Sequence, residues 1–180
     1  GDKKRDGRSV YPPAPEFLVQ RPASYGPENW AYEKDDGKYR RALYTFRFRS
    51  VPYPALQTFD APSGEFSTVQ RPRSNTPLQA LTTLNEPLLV ECAQALARRA
   101  IANGGNSDQD RLAFAFRCCV ARPPTEKEST LLLNVLRQQT DRFRKNEATP
   151  VQLDAEESPQ LDDATPTQVA AWTVVSRIIL

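Results

Sequence analysis

The side chains that could do chemistry gather in one stretch. Asp60, Glu65, Arg71, Arg73, Asn75, Gln79 and Asn85 lie in or beside a segment rich in prolines and small polar residues. Loops held by a rigid scaffold are a common seat of binding and catalysis. Asp60 and Glu65 could act as an acid and a base, because carboxylates in different surroundings can hold and release a proton. Arg71 and Arg73 could grip an anion through their forked donors. A competing reading spends the same groups on the fold, with Asp60 capping a helix or pairing with an arginine and Asn75 capping the next helix. Asp60, Glu65, Arg71, Arg73 and Asn75 are the candidate binding residues. No catalytic residue, metal ligand or cofactor-binding residue is assigned.

Composition narrows the chemistry further. The 180 residues include no histidine and three cysteines, Cys92, Cys118 and Cys119. Without histidine the chain cannot hold Ser-His-Asp or Cys-His machinery, an HExxH zinc motif or a c-type haem attachment. No CxxC spacing occurs, and a bridge between adjacent Cys118 and Cys119 would close a strained ring. Cys118 and Cys119 read as small apolar core residues, and Cys92 falls on the apolar stripe of its helix. Gly104-Gly105 lacks the Lys-Ser/Thr that a phosphate loop needs. The acidic residues of 154–163 specify a divalent cation only weakly.

Partners are bounded in the same way. A net charge of +2 gives little pull on nucleic acid, so no nucleic-acid partner is expected. Tyr39, Arg40, Arg41, Tyr44, Arg47 and Arg49 mix basic and aromatic groups as single-strand binders do. They read instead as one amphipathic element with exposed arginines. No apolar run approaches the ~18 residues of a membrane span. The absence of methionine, with Ile178-Ile179-Leu180 ending uncapped, leads us to expect a fragment of a longer protein.

The elements that must position these groups are helical. Residues 1–38 read as an extended proline-rich arm, since clustered prolines remove N–H donors and favour polyproline II. Residues 39–50 fit either a helical stripe or a strand, and with no partner strand nearby the helix is expected. A short helix from Pro54 to Thr58 leads into the polar loop. Thr76-Pro77-Leu78-Gln79 then forms a capping box with a pre-set proline, opening a helix that carries Leu78, Leu81 and Leu84. Asn85 is expected to cap a second helix, which ends at Asn103-Gly104-Gly105.

Ser107 caps a third helix, apolar on two sides and therefore expected at the centre. Thr125-Glu126-Lys127-Glu128 opens a fourth that runs to about Lys145. Residues 147–164 read as an acidic mobile insertion, and Thr165 starts a last helix through Trp172. The expected fold is all-α, a single domain of 1–180. A loop-rich arm (1–75) precedes a helical core (76–146), with the last helix at 165–180.

Set in order, several of these strings resemble a known family. They are Ser9-Val10-Tyr11-Pro12-Pro13-x-Pro15, Tyr39-Arg40-Arg41-Ala42-Leu43-Tyr44-Thr45-Phe46, Ser50-Val51-Pro52 and Phe59-Asp60-Ala61-Pro62. Asn75-Thr76-Pro77-Leu78-Gln79-Ala80-Leu81, Leu84-Asn85-Glu86-Pro87, Ala115-Phe116-Arg117 and Arg122-Pro123-Pro124-Thr125-x-x-Glu128 follow. Together they resemble domain of unknown function family 1553, a planctomycete-expanded domain at the C-terminal end of larger proteins. The resemblance implies an exported, extracytoplasmic protein with haem c, if any, on an upstream cytochrome c module. Its partners would then be other domains of the same polypeptide, or a protein or polysaccharide. The expected role is a non-catalytic interaction or scaffold module, and the alternative is a hydrolase-like or carbohydrate-binding domain using the 60–79 loop. The family lends no catalytic residue. Cys118-Cys119 and the 146–164 insertion depart from its pattern.

Overall fold

The computed structural model describes residues 7–13, 32–33, 36–47, 52–145 and 164–180. Six helices occur among them: α1 Pro54–Thr58, α2 Pro77–Asn85, α3 Pro87–Asn103, α4 Asp108–Val120, α5 Glu126–Arg144 and α6 Pro166–Ile179. No strand is formed among the described residues, so the chain is all-α. It divides into two compact units, Gly1–Thr82 and Thr83–Leu180.

Helix starts follow the chemistry of the sequence. Four of the six helices begin at proline, whose missing N–H costs nothing there and whose φ is already helical. Thr125 accepts the Glu128 N–H while the Glu128 carboxylate accepts the Thr125 N–H, completing the expected capping box of α5. Ser107 caps α4 through the Asp110 N–H (3.1 Å), and Thr165 caps α6 through the Gln168 N–H (3.2 Å). Asn85 does not cap α3. It remains the last helical residue of α2, and Glu86, with extended backbone (φ −67°, ψ 125°), takes the Leu89 N–H instead. Burial pushes the Glu86 carboxyl upward, against the lowering effect of the Leu89 and Leu88 N–H groups.

The second unit is a bundle of α3, α4, α5 and α6 around Leu96, Leu112, Phe116, Leu132, Leu136 and Trp172. The third helix of the sequence reading is not its centre. Cys118 and Val120 of α4 are exposed, whereas Ala170, Ala171, Trp172, Thr173, Val175 and Ser176 of α6 are all buried. A helix buried through consecutive positions must be covered on most of its circumference. Two polar residues stand among these six, and the Thr173 hydroxyl is satisfied by the Val169 carbonyl at 2.7 Å. Fully buried Ala93, Ala97 and Ala100 give α3 a narrow face that admits the close approach of a neighbouring helix. Cys92 and Cys119 are half-buried and Cys118 is exposed, so only part of the expected core role for cysteine holds. Burial raises the Cys119 thiol above its ordinary value.

The turn between α4 and α5 is strapped by an ion pair. Arg122 donates to both carboxylate oxygens of Glu128, at 2.9 and 2.7 Å, and its guanidinium lies 5.0 Å from the Phe116 ring centre. Arg122 and the Thr125 N–H together hold the Glu128 carboxyl at about 2, against an ordinary 4.5. A carboxyl depressed on folding adds stability that is complete above its unfolded value and lost as pH falls towards the folded one. Glu128→Gln keeps a capping group but removes the charge. Thermal melts by circular dichroism between pH 4.5 and 2 are expected to fall more steeply for the native chain than for this variant. Parallel curves would refute the strap.

In the first unit, residues 39–47 do not form the expected helix. Asp36–Tyr39 and Ala42–Tyr44 are 3-10 turns, and Thr45 instead forms a parallel bridge with Val10. The Val10 N–H donates to the Tyr44 carbonyl and the Phe46 N–H to the Val10 carbonyl, both at 2.9 Å. Val10 is buried, and the Tyr11 ring stacks on Phe46 at 4.9 Å. Tyr53 Oη donates to the Pro13 carbonyl at 3.1 Å. Residues 7–13 are thus fastened through backbone pairing, a stacked ring and a phenol. Residues 1–6, 14–31 and 34–35 of the expected arm lie outside the described residues, as does nearly all of the 147–164 insertion.

Candidate functional site

The site begins at a helix too short to stand alone. Five residues form α1, well below the ~12–15 at which an isolated helix becomes marginal in water. Its end is closed by a Schellman arrangement: the Asp60 N–H donates to the Gln57 carbonyl at 3.0 Å and the Ala61 N–H to the Leu56 carbonyl at 2.8 Å. This requires left-handed backbone at residue 60, where φ is 58°. Aspartate tolerates that region better than most side chains.

The carbonyls that follow are then taken by side chains arriving from the loop. Gln79 Nε2 donates to the Thr58 carbonyl at 2.9 Å. Arg71 Nη2 donates to the Phe59 carbonyl and Arg71 Nε to the Asp60 carbonyl, the latter at 3.0 Å. A cation at a helix C-terminus is also where the helix dipole favours it. Asp60 Oδ2 accepts from the Ser74 N–H (2.8 Å) and Ser74 Oγ (2.6 Å), with Gln79 Nε2 at 3.4 Å. Those Ser74 bonds, from the hydroxyl first, hold the Asp60 carboxyl below the usual carboxylate range, with smaller help from Gln79 and Arg71.

Gln79 links the two halves of the loop. Its Oε1 accepts the Thr76 N–H at 3.2 Å, closing the capping box of α2, while its Nε2 reaches Thr58, Ser74 and Asp60. An amide offers two donors and one acceptor oxygen, and all are engaged here. The residue is buried despite its polarity. Asp60, Arg71, Arg73, Ser74 and Gln79 line one open groove, walled on its apolar side by Phe59, Val69 and Pro72.

The family model described as a protein of unknown function, DUF1553, matches residues 1–136, well over half of the chain. The chain belongs to the DUF1553 family. No curated protein and no solved structure matches it.

Of the five candidate residues in this DUF1553 chain, the groove gathers Asp60, Arg71 and Arg73. Glu65 and Asn75 are exposed and line no part of that groove, and the Glu65 N–H donates to Ser63 Oγ at 3.3 Å. Ser74 was missed by sequence reasoning, although its N–H and its hydroxyl both bind the Asp60 carboxylate. The signal available was slight, a serine two residues before a helix cap. The capping box of Gln79 was legible, but its reach to Thr58 and Asp60 was not, because nothing local encodes a contact across about 20 residues. A c-type haem does not fit this chain, which has neither the histidine nor the CxxCH string that would attach it. Among the described residues no group of three acidic, cysteine or histidine side chains could hold a metal ion, and no helix is long and apolar enough to cross a membrane.

Proposed function

We propose that this DUF1553 chain is a non-catalytic helical interaction module of a larger exported protein, working beside a cytochrome c-type domain. One observation carries the interaction reading: α2 is inside out. Its polar Gln79 is buried, while Leu78 and Leu81 are 59% and 57% exposed. A helix ordinarily turns its leucines inward, and leucines turned outward mark surface available to another protein. The loop supports the non-catalytic part. Asp60 and Arg71 are spent on the chain's own backbone and hydroxyls, and Glu65 does not join Asp60 in the groove. The cytochrome neighbour and the extracytoplasmic setting rest on the family resemblance.

Domains on one polypeptide meet at effective concentrations of order ~1 mM, so even a weak contact suffices. The test is to mix the 180-residue chain with the haem-bearing module of the same parent protein and follow amide resonances. Saturable shifts centred on Leu78 and Leu81 are expected. No shift at ~1 mM would overturn the reading, since a linker supplies no more than that.

A further inference from the structure

The groove beside Asp60 holds one cation that the fold does not use. Arg71 is fixed by two carbonyls, leaving its Nη1 edge without a partner among the described residues. Arg73 makes no hydrogen bond or ion pair among them. Pro72 stands between the two, and the residue before a proline is pushed to extended backbone. Arg71 and Arg73 both line the groove. The carboxylate of Asp60 faces them, but its Oδ2 is already held by Ser74 and Gln79. Two guanidiniums against one engaged carboxylate leave the groove with a net positive charge.

We infer that this groove is the seat for a carboxylate side chain of an acidic peptide segment, gripped by Arg73 and the free edge of Arg71. The inference rests on the interaction reading above and names the chemistry of the partner. An arginine fork matches a carboxylate in two parallel hydrogen bonds. Because Arg71 is pinned before any ligand arrives, little side-chain entropy remains to be lost on binding. Phe59, Val69 and Pro72 wall the same groove, which suits the methylene stem of glutamate and gives a neutral sugar no second acidic acceptor.

The probe is a blocked Ala-Glu-Ala-Glu-Ala peptide titrated into the full chain, beside its Gln counterpart and a neutral oligosaccharide. Binding of the Glu peptide alone is expected, weakening with added salt and falling roughly tenfold in Arg73→Gln, the loss of one charge-assisted fork. Arg73 is exposed and spends nothing on the fold, so this variant should melt with the native chain. Equal binding of the Glu and Gln peptides, an unchanged affinity in Arg73→Gln, or no binding at all overturns the inference. Oligosaccharide binding that disappears in Arg73→Gln also overturns it, in favour of a sugar site. Association with the haem-bearing module is measured separately, so it can survive while this assignment fails.

Discussion

Replacing Trp172 with alanine should lower the unfolding free energy by about 3–5 kcal/mol. Trp172 is 1% exposed and the largest fully buried side chain among the described residues, set between Leu96, Leu112, Phe116, Leu132 and Leu136. Deleting an indole there removes its transfer free energy and leaves a void that rigid helices fill only in part. Domains of this size hold roughly 5–15 kcal/mol in all, so the variant should sit near the edge of unfolding. Urea titration followed at the far-ultraviolet helix signal checks it. A loss under ~1.5 kcal/mol would mean that the bundle repacks around the gap.

Gly104→Ala is the second large effect, and its cause is space rather than backbone freedom. Gly104 has an ordinary φ of −83°. A Cβ there would collide with the Ala100 carbonyl oxygen and lie 2.7 Å from the Arg111 Cα, both backbone atoms. Backbone cannot swing aside as a flexible side chain can, so the end of α3 and the body of α4 must part. Overpacking of this kind costs ~1–3 kcal/mol, here at the upper end. The melting temperature should fall by roughly 5–10 °C. Gly105→Ala makes a useful contrast. Gly105 has a φ of 94° and its added Cβ would meet only the Asp110 side chain, at 3.1 Å or beyond, so its cost comes from conformation. A Gly104→Ala chain that melts with the native protein would refute the close approach.

Legibility followed locality. Capping boxes, prolines at helix starts and the stop at Asn103-Gly104 operate within four residues, and the structure places them where sequence patterns put them. Apart from the cap of α3, one residue later than expected at Glu86, errors arose where a distant segment decided. Tyr44–Phe46 looked helical because no strand lay near, yet its partner is Val10, more than thirty residues upstream. The α4 stripe suggested a central helix, but α6 takes that place, since which of two apolar helices is enclosed depends on the other three. In the candidate site the residue types were readable and their employment was not. Asp60 looked equally like an acid, a cap or an ion-pair partner, and only the arrival of Ser74 and Gln79 fixed its role.

The placement of α6 bears on how this family should be handled at the bench. The family match stops at residue 136, while the helix that fills the bundle spans Pro166–Ile179. Trimming the chain to the matched span would remove the wall against which Leu96, Leu112 and Leu132 lean, and would cut α5 within its own length. A profile records what sequences share, whereas a core closes wherever shape requires. Expression boundaries for such proteins are better drawn from packing than from the edge of the match.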